Sequence, residues 1–248
     1  MARQALPSTS VLWKRHELLY TEIFVRALQE LVHGIYDISH EDAISEALCP
    51  ILTQVCYNEG VKRDCEIRTP DWEKSIQPVS SAELKGGKRR KRPDFTCKWI
   101  NPLASSAEEY ELPLHIECKR LGKATSPNWI LNENYVVNGI MRFDSKDHEY
   151  GKRAFSGLMI GYIISMAPNA IIAEIEAFCR KHYTGSANII HQSNNDEVTQ
   201  YRQYMKRHSI QPKTFEIVHL WVDLRRTRKG TAHGIPRVRP GQVSNRGH

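Results

Sequence analysis

The sequence predicts an α/β sandwich with a mixed central sheet flanked by helices. Two observations carry this expectation. After an N-terminal helical segment, the periodicities run helix, strand, strand, strand, helix, strand, helix, strand, an order that interleaves the two element types. The chain has 248 residues, with 40% hydrophobic and 25% charged content, which suits one compact domain with additions or at most two small ones.

Residues 11–36 place Leu18, Leu19, Ile23, Phe24, Ala27, Leu28 and Leu31 at helical spacing and predict an amphipathic helix. A break follows at Asp37-Ile38-Ser39. Ser39 with Asp42 has the spacing of a capping box opening a second helix, which runs to about Gly60 with Pro50 inside it as a potential kink. Residues 64–69 read as a short strand and 70–92 as a long polar loop. The segments FTCKWI (95–100) and LPLHIECKRL (112–121) follow as strands, then a helical stretch around 132–145 and the apolar run GLMIGYII (157–164). A helix is expected from Pro168 to His182 and a last strand over FEIVHLWVDL (215–224). Residues 184–212, rich in Asn, Ser and Gln, are expected to be irregular with at most one short helix. The domain reading is 1–38 as an N-terminal helical extension, 39–224 as the main domain and 225–248 as a basic flexible tail.

The net charge of +7 is unevenly spread. Residues 85–92 carry six cations and residues 225–248 carry seven, neither with an acid; subtracting these 13 from +7 leaves −6 for the body. Clustered cations of this kind suit a polyanionic ligand. The six cysteines are scattered without a CxxC pair, which reads as thiols in a reducing compartment and argues against a zinc site. No apolar run approaches a bilayer span and the N-terminus lacks a signal-peptide core, so a cytoplasmic protein with no membrane partner is expected.

The chemistry concentrates in two strands. Along LHIECKRL, alternation turns Leu114, Ile116 and Cys118 toward a packed helix, and His115, Glu117 and Lys119 toward the opposite, wetted face. Along RPDFTCKWI, Asp94 follows Pro93 at a strand start and shares its face with Thr96 and Lys98. Neighbouring strands can thus present Asp94 and Glu117 side by side. Two close carboxylates repel and favour a cation between them, and oxygen ligands with open positions suit Mg²⁺, with Mn²⁺ as a substitute. Such an ion polarises a phosphoryl oxygen and activates water. Lys119 on the same face can orient or help deprotonate that water, or offset charge forming on phosphorus.

Pro93-Asp94, followed 23 residues later by Glu117 of Glu117-Cys118-Lys119, resembles the motif of PD-(D/E)xK nucleases, the restriction-endonuclease-like superfamily. Asn134-Tyr135, Gly139-Ile140-Met141-Arg142-Phe143, Tyr150 and Met159-Ile160-Gly161-Tyr162 look like the segment after ExK in a set of bacterial nuclease-like proteins, some linked to anti-phage defence. The resemblance covers roughly residues 39–223. It implies a core of order αβββαβ, here with the extra N-terminal helix. It implies Mg²⁺ held by Asp94, Glu117 and the main-chain carbonyl of Cys118. It also implies a glutamate on the first core helix. Glu41, Glu46, Glu22 and Glu30 are the candidates; Glu41 shares the face of Ile44 and Leu48, whereas Glu46 points away. Glu41 is read as the fourth catalytic residue and a further metal ligand, with Glu46 as the alternative and simple complementation of the helix dipole as the bland reading.

Lys88, Arg89, Arg90, Lys91 and Arg92 directly precede Pro93 and read as a phosphate guide without base-reading information. Arg142 reads as a phosphate contact or as the partner of Asp144 or Glu149. His115 reads as a half-buried spacer or a phosphate contact, and His219 as a core histidine. The resulting expectation is a Mg²⁺-dependent endonuclease acting on double-stranded DNA in defence or restriction, gated by a partner protein of a multi-subunit system or acting as a homo-oligomer. The alternatives are a non-catalytic nucleic-acid-binding subunit and an RNA- or junction-directed nuclease.

Overall fold

Among the residues described by the computed structural model, 7–76, 92–185 and 188–226, seven strands join in one mixed sheet. They are β1 (Asp71–Trp72), β2 (Phe95–Ile100), β3 (Glu111–Leu121), β4 (Ser156–Ile163), β5 (Ile190–Asn195), β6 (Val198–Lys206) and β7 (Thr214–Asp223), in the order β1-β2-β3-β4-β7-β6-β5. β3, β4 and β7 run parallel at the centre, and both flanks are antiparallel. The parallel centre explains why β4 reads as an uninterrupted apolar run: helices cover both faces, and every residue of β4 is buried.

The helices are α1 (Thr9–Leu31), α2 (Glu41–Arg63), α3 (Ala107–Tyr110), α4 (Leu131–Val137) and α5 (Pro168–His182), with a 3₁₀ segment at Ile140–Asp144. α1 and α2 pack on one face, where Phe24, Leu28, Ile44 and Leu48 meet Phe95, Leu114, Ile116 and Cys118 in one apolar cluster. The segment read as an N-terminal extension is therefore part of this core layer. The opposite face is covered by α4, the 3₁₀ segment and α5, whose Tyr135, Phe143 and Ile175 meet Met159, Ile217 and Trp221. No helix among the described residues is long and apolar enough to cross a membrane.

Several local expectations change. The capping box does not form: Ser39 donates both its N–H and its hydroxyl to Asp37, at 2.8 and 2.6 Å, and His40 takes the N-cap position. α2 runs on through Pro50, whose ring lies on the exposed side. Residues 64–69 form no strand; the short pairing segment is Asp71–Trp72, opposite Thr96 and Phe95. The stretch 132–145 divides at Gly139, where any Cβ would collide with the Tyr135 carbonyl, so the chain leaves α4 and tightens into the 3₁₀ segment. The supposedly irregular 184–212 contains the β5–β6 hairpin. Its inward face includes Gln203, fully buried, and its turn uses Asp196 at φ +51°, so neither the apolar alternation nor a Gly-containing turn marks it in sequence. Lys88, Arg89, Arg90 and Lys91, and the tail beyond Arg226, lie outside the described residues.

Candidate active site

The site forms where β2 stops short. The β2–β3 ladder ends at Phe95 opposite Ile116, yet β3 continues to Leu121. Beyond Ile116, the backbone N–H groups of Cys118 and Arg120 face the edge that β2 has vacated, and buried backbone donors need acceptors. Two carboxylates supply them. Asp94 Oδ2 accepts from the Cys118 N–H at 2.5 Å, and Glu41 Oε2 accepts from the Arg120 N–H at 3.0 Å. Asp94 lies just before β2 and Glu41 opens α2, so the sheet edge draws an acid from each. Arg120 also donates to the Ser39 carbonyl, tying the start of α2 to the same edge.

Lys119 lies at the centre. Its Nζ is 2.7 Å from Glu41 Oε1, 2.8 Å from Glu117 Oε1, 2.6 Å from the Cys118 carbonyl oxygen and 4.0 Å from Asp94 Oδ2. Glu117 is fully buried; its Oε1 also accepts from Arg142, while its Oε2 has no hydrogen-bond partner. Burial, reinforced by Asp94, pushes the Glu117 carboxyl up to about 8, against the pull of Lys119 and Arg142. Burial likewise raises Asp94 to about 6, opposed chiefly by Lys119 and the Cys118 N–H. Burial by itself would lower Lys119, but Glu117, Glu41 and Asp94 outweigh it and hold the ammonium charged.

The structure thus brings together Asp94, Glu117, Lys119, the Cys118 carbonyl and Glu41, whereas Glu46 lies exposed on the outside of α2. The face read as wetted is instead covered: His115, Glu117 and Lys119 are all buried, met in turn by the Gly151 N–H of the loop before β4, by Arg142 of the 3₁₀ segment and by Glu41 of α2. His115 is no half-buried spacer. Its Nδ1 accepts the Gly151 N–H at 3.0 Å, and burial, with the nearby Arg153 charge, lowers it to about 3. Arg142 pairs with neither Asp144 nor Glu149. Asp144 is taken by the Tyr183 hydroxyl and the His208 and Ser209 N–H groups, and Arg142 turns to Glu117. That pairing carried no sequence signal, since the 3₁₀ segment follows neither strand nor α-helical periodicity. Arg92 is exposed beside Pro93. His219 is buried as expected of a core histidine; it pairs with the Tyr135 hydroxyl at 2.8 Å, while its Nε2 has no hydrogen-bond partner.

Among the described residues, no group of three or more His, Cys, Asp or Glu side chains is arranged to hold a metal ion. At the end of β3 two carboxylates, Asp94 and Glu117, stand with the Cys118 main-chain carbonyl around Lys119 Nζ. The partnerless Glu117 Oε2, beside a second carboxylate that raises its pKa, fits a hard cation preferring oxygen ligands. No family model, curated protein or solved structure matches the chain.

Proposed function

We propose that this chain is a divalent-metal-dependent endonuclease that hydrolyses DNA phosphodiester bonds on a restriction-endonuclease-like core. The observation that carries the reading is the convergence of Asp94, Glu117, Lys119 and Glu41 on the unpaired edge of β3. The element order α2-β1-β2-β3-α4-β4, interrupted between β2 and β3 by the four-residue α3, supports it, since it otherwise follows the αβββαβ order that the sequence resemblance implies.

Asp94, Glu117 and the Cys118 carbonyl, with Glu41 at the margin, would hold Mg²⁺ or Mn²⁺. Bound there, the ion supplies a polarised phosphoryl oxygen and a water of lowered pKa. The chain's own groups do the rest. Glu41 and the Cys118 carbonyl hold the Lys119 ammonium in place, so that it orients the attacking water and offsets charge gathering on the phosphoryl oxygens. Arg142, partly exposed beside Glu117, is placed to hold the substrate phosphate. Backbone bonds from the Asp94 and Glu41 carboxylates to β3 keep the constellation rigid.

The test is plasmid cleavage in Mg²⁺, Mn²⁺ and EDTA, with Asp94→Ala, Glu117→Ala and Lys119→Ala. Each variant is expected to lose at least about 10²-fold in rate, the scale of removing one preorganised charged group. Undiminished cutting by all three, with native circular dichroism, would overturn the reading.

One observation favours a second reading, a non-catalytic nucleic-acid-binding or assembly subunit. Glu117 Oε1 is already matched by both Lys119 and Arg142, as in a purely structural ion-pair cluster. Binding without cutting in every metal, including in the presence of partner proteins of a defence system, would select it. RNA and junction substrates in the same assay separate those nuclease alternatives.

A further inference from the structure

One chain segment reaches the site from both of its ends. Residues 142–151 run from the 3₁₀ segment into the loop before β4. Arg142 donates to Glu117 Oε1 at one end, and the Gly151 N–H donates to His115 Nδ1 at the other, at 3.0 Å. Between them the backbone forms neither strand nor α-helix, and Glu149 and Gly151 hold left-handed φ values of +54° and +65°. Irregular backbone leaves its carbonyls without ladder partners, and buried carbonyls need donors from elsewhere.

A single guanidinium supplies them. Arg207 lies just past the end of β6 and is 1% exposed. Its Nη1 reaches the carbonyl oxygens of Phe143 at 3.1 Å, Gly151 at 3.2 Å and Tyr150 at 3.4 Å, while its Nε donates to the Pro212 carbonyl at 2.8 Å. The Phe215 ring lies against it, with Cζ 4.0 Å from the ring centroid. Burial pulls the guanidinium down to about 10, against the nearby Asp144 charge, which leaves it cationic at neutral pH.

The following two residues hold the same segment from a second side. Asp144 Oδ2 accepts from the His208 N–H at 2.8 Å and from the Tyr183 hydroxyl at 2.9 Å, and its Oδ1 accepts from the Ser209 N–H at 2.7 Å. The path from these bonds to the site is short. Phe143 and Asp144 directly follow Arg142. The Tyr150 carbonyl and the Gly151 N–H belong to one planar peptide unit, held at its oxygen by Arg207 and at its N–H by His115. None of the hydrogen-bond partners of Arg207 belongs to the carboxylate cluster.

We propose that Arg207 is a positioning residue for the candidate active site: with Asp144 it clamps residues 142–151 so that Arg142 meets Glu117 and Gly151 meets His115. The clamp stands on the bonds above; its consequence for cleavage rests on the nuclease reading.

The test of the clamp is amide hydrogen exchange of the full chain, resolved by residue with NMR, in wild type, Arg207→Met and Asp144→Asn. Methionine removes every donor, and an apolar side chain in place of a buried charge need not lower global stability. Asparagine on the other arm keeps the test open should the first variant fail to fold. The amides of Arg142, Glu149 and Gly151 are expected to lose about tenfold or more in protection, while those of β4 and β7 keep theirs. Equal losses across β4 and β7 would make Arg207 a support of the whole fold and overturn the inference, as would full protection of Gly151 in both variants. Plasmid cleavage reads the consequence through a double-mutant cycle. Arg207→Met should lower kcat/KM in the wild type but cost no more than about twofold once Arg142 is alanine. Independent, additive losses, or undiminished cutting by Arg207→Met, would overturn the positioning role. A wild type that cuts no DNA in any metal would sink the nuclease reading alone, with exchange still deciding the clamp.

Discussion

Replacing Arg142 with alanine isolates the least anticipated contact of the site. The guanidinium, 26% exposed, donates to Glu117 Oε1, and the Glu117 side chain is fully buried. A hydrogen bond with a charged partner contributes about 1.5–3 kcal/mol; Arg142 stays cationic, so the low end applies while Glu117 is neutral and the high end once it is ionised. The larger loss of about 3–5 kcal/mol, for stripping a buried charge of its only partner, is not expected because Lys119 remains, at 2.8 Å. Which figure applies depends on pH. The folded pKa of Glu117, about 8, lies above its ordinary 4.5. Stability linked to this raised value is therefore fully present below the ordinary pKa and is lost as pH rises through the folded one. Arg142 holds the folded value down, so removing it raises that value and extends the loss to higher pH. Wild type and Arg142→Ala should differ by about 1.5 kcal/mol near pH 6, where Glu117 is protonated in both and a cation donates to a neutral carboxyl. They should diverge toward about 3 kcal/mol near pH 9, where both partners are charged. Urea denaturation followed by tryptophan fluorescence in EDTA measures both. A difference that stays the same at the two pH values, or shrinks at the higher one, would refute the reasoning.

The same linkage applies to the wild type without metal. Asp94 and Glu117, with folded values near 6 and 8, should make stability in EDTA fall as pH rises through that window, and Mg²⁺ should restore it at the alkaline end; a flat melting-temperature profile in EDTA would contradict this. Glu41→Gln loosens Lys119 and weakens acceptance of the Arg120 N–H, so cleavage should fall about 10-fold or more, from one weakened charge-assisted contact of about 1.5–3 kcal/mol, while Glu46→Gln, on the exposed side of α2, should cut like wild type. Gly157→Ala would set a Cβ against the Phe143 ring, with Cδ1 at 2.9 Å. The expected cost is about 1–3 kcal/mol of stability, with reduced cleavage as the neighbouring Arg142 shifts; an unchanged denaturation midpoint would show that the ring yields freely.

Much of the architecture was legible because burial writes itself into periodicity. The apolar run of β4, the alternation in β3 and the proline-led α5 each record a face covered by a neighbouring layer. The β5–β6 hairpin was not legible, because β5 is an exposed edge of polar residues and β6 turns Gln203 inward. The break of 132–145 at Gly139 escaped for a related reason: close approach to the Tyr135 carbonyl is a tertiary constraint.

The sequence by itself determined which groups could meet. Strand alternation sets Glu117 and Lys119 on one face, the Pro93–Asp94 step opens β2, and helical spacing turns Glu41 rather than Glu46 inward. Tertiary structure decided the rest. Only the early end of β2 leaves the Cys118 and Arg120 N–H groups unpaired, and so recruits Asp94 and Glu41 to them. Only the cover over β3 buries Glu117, raises its pKa and brings Arg142 to it. Alternation along a strand states a direction; whether that direction meets water or protein depends on chain segments distant in sequence, and here the answer reverses the charge behaviour of the site.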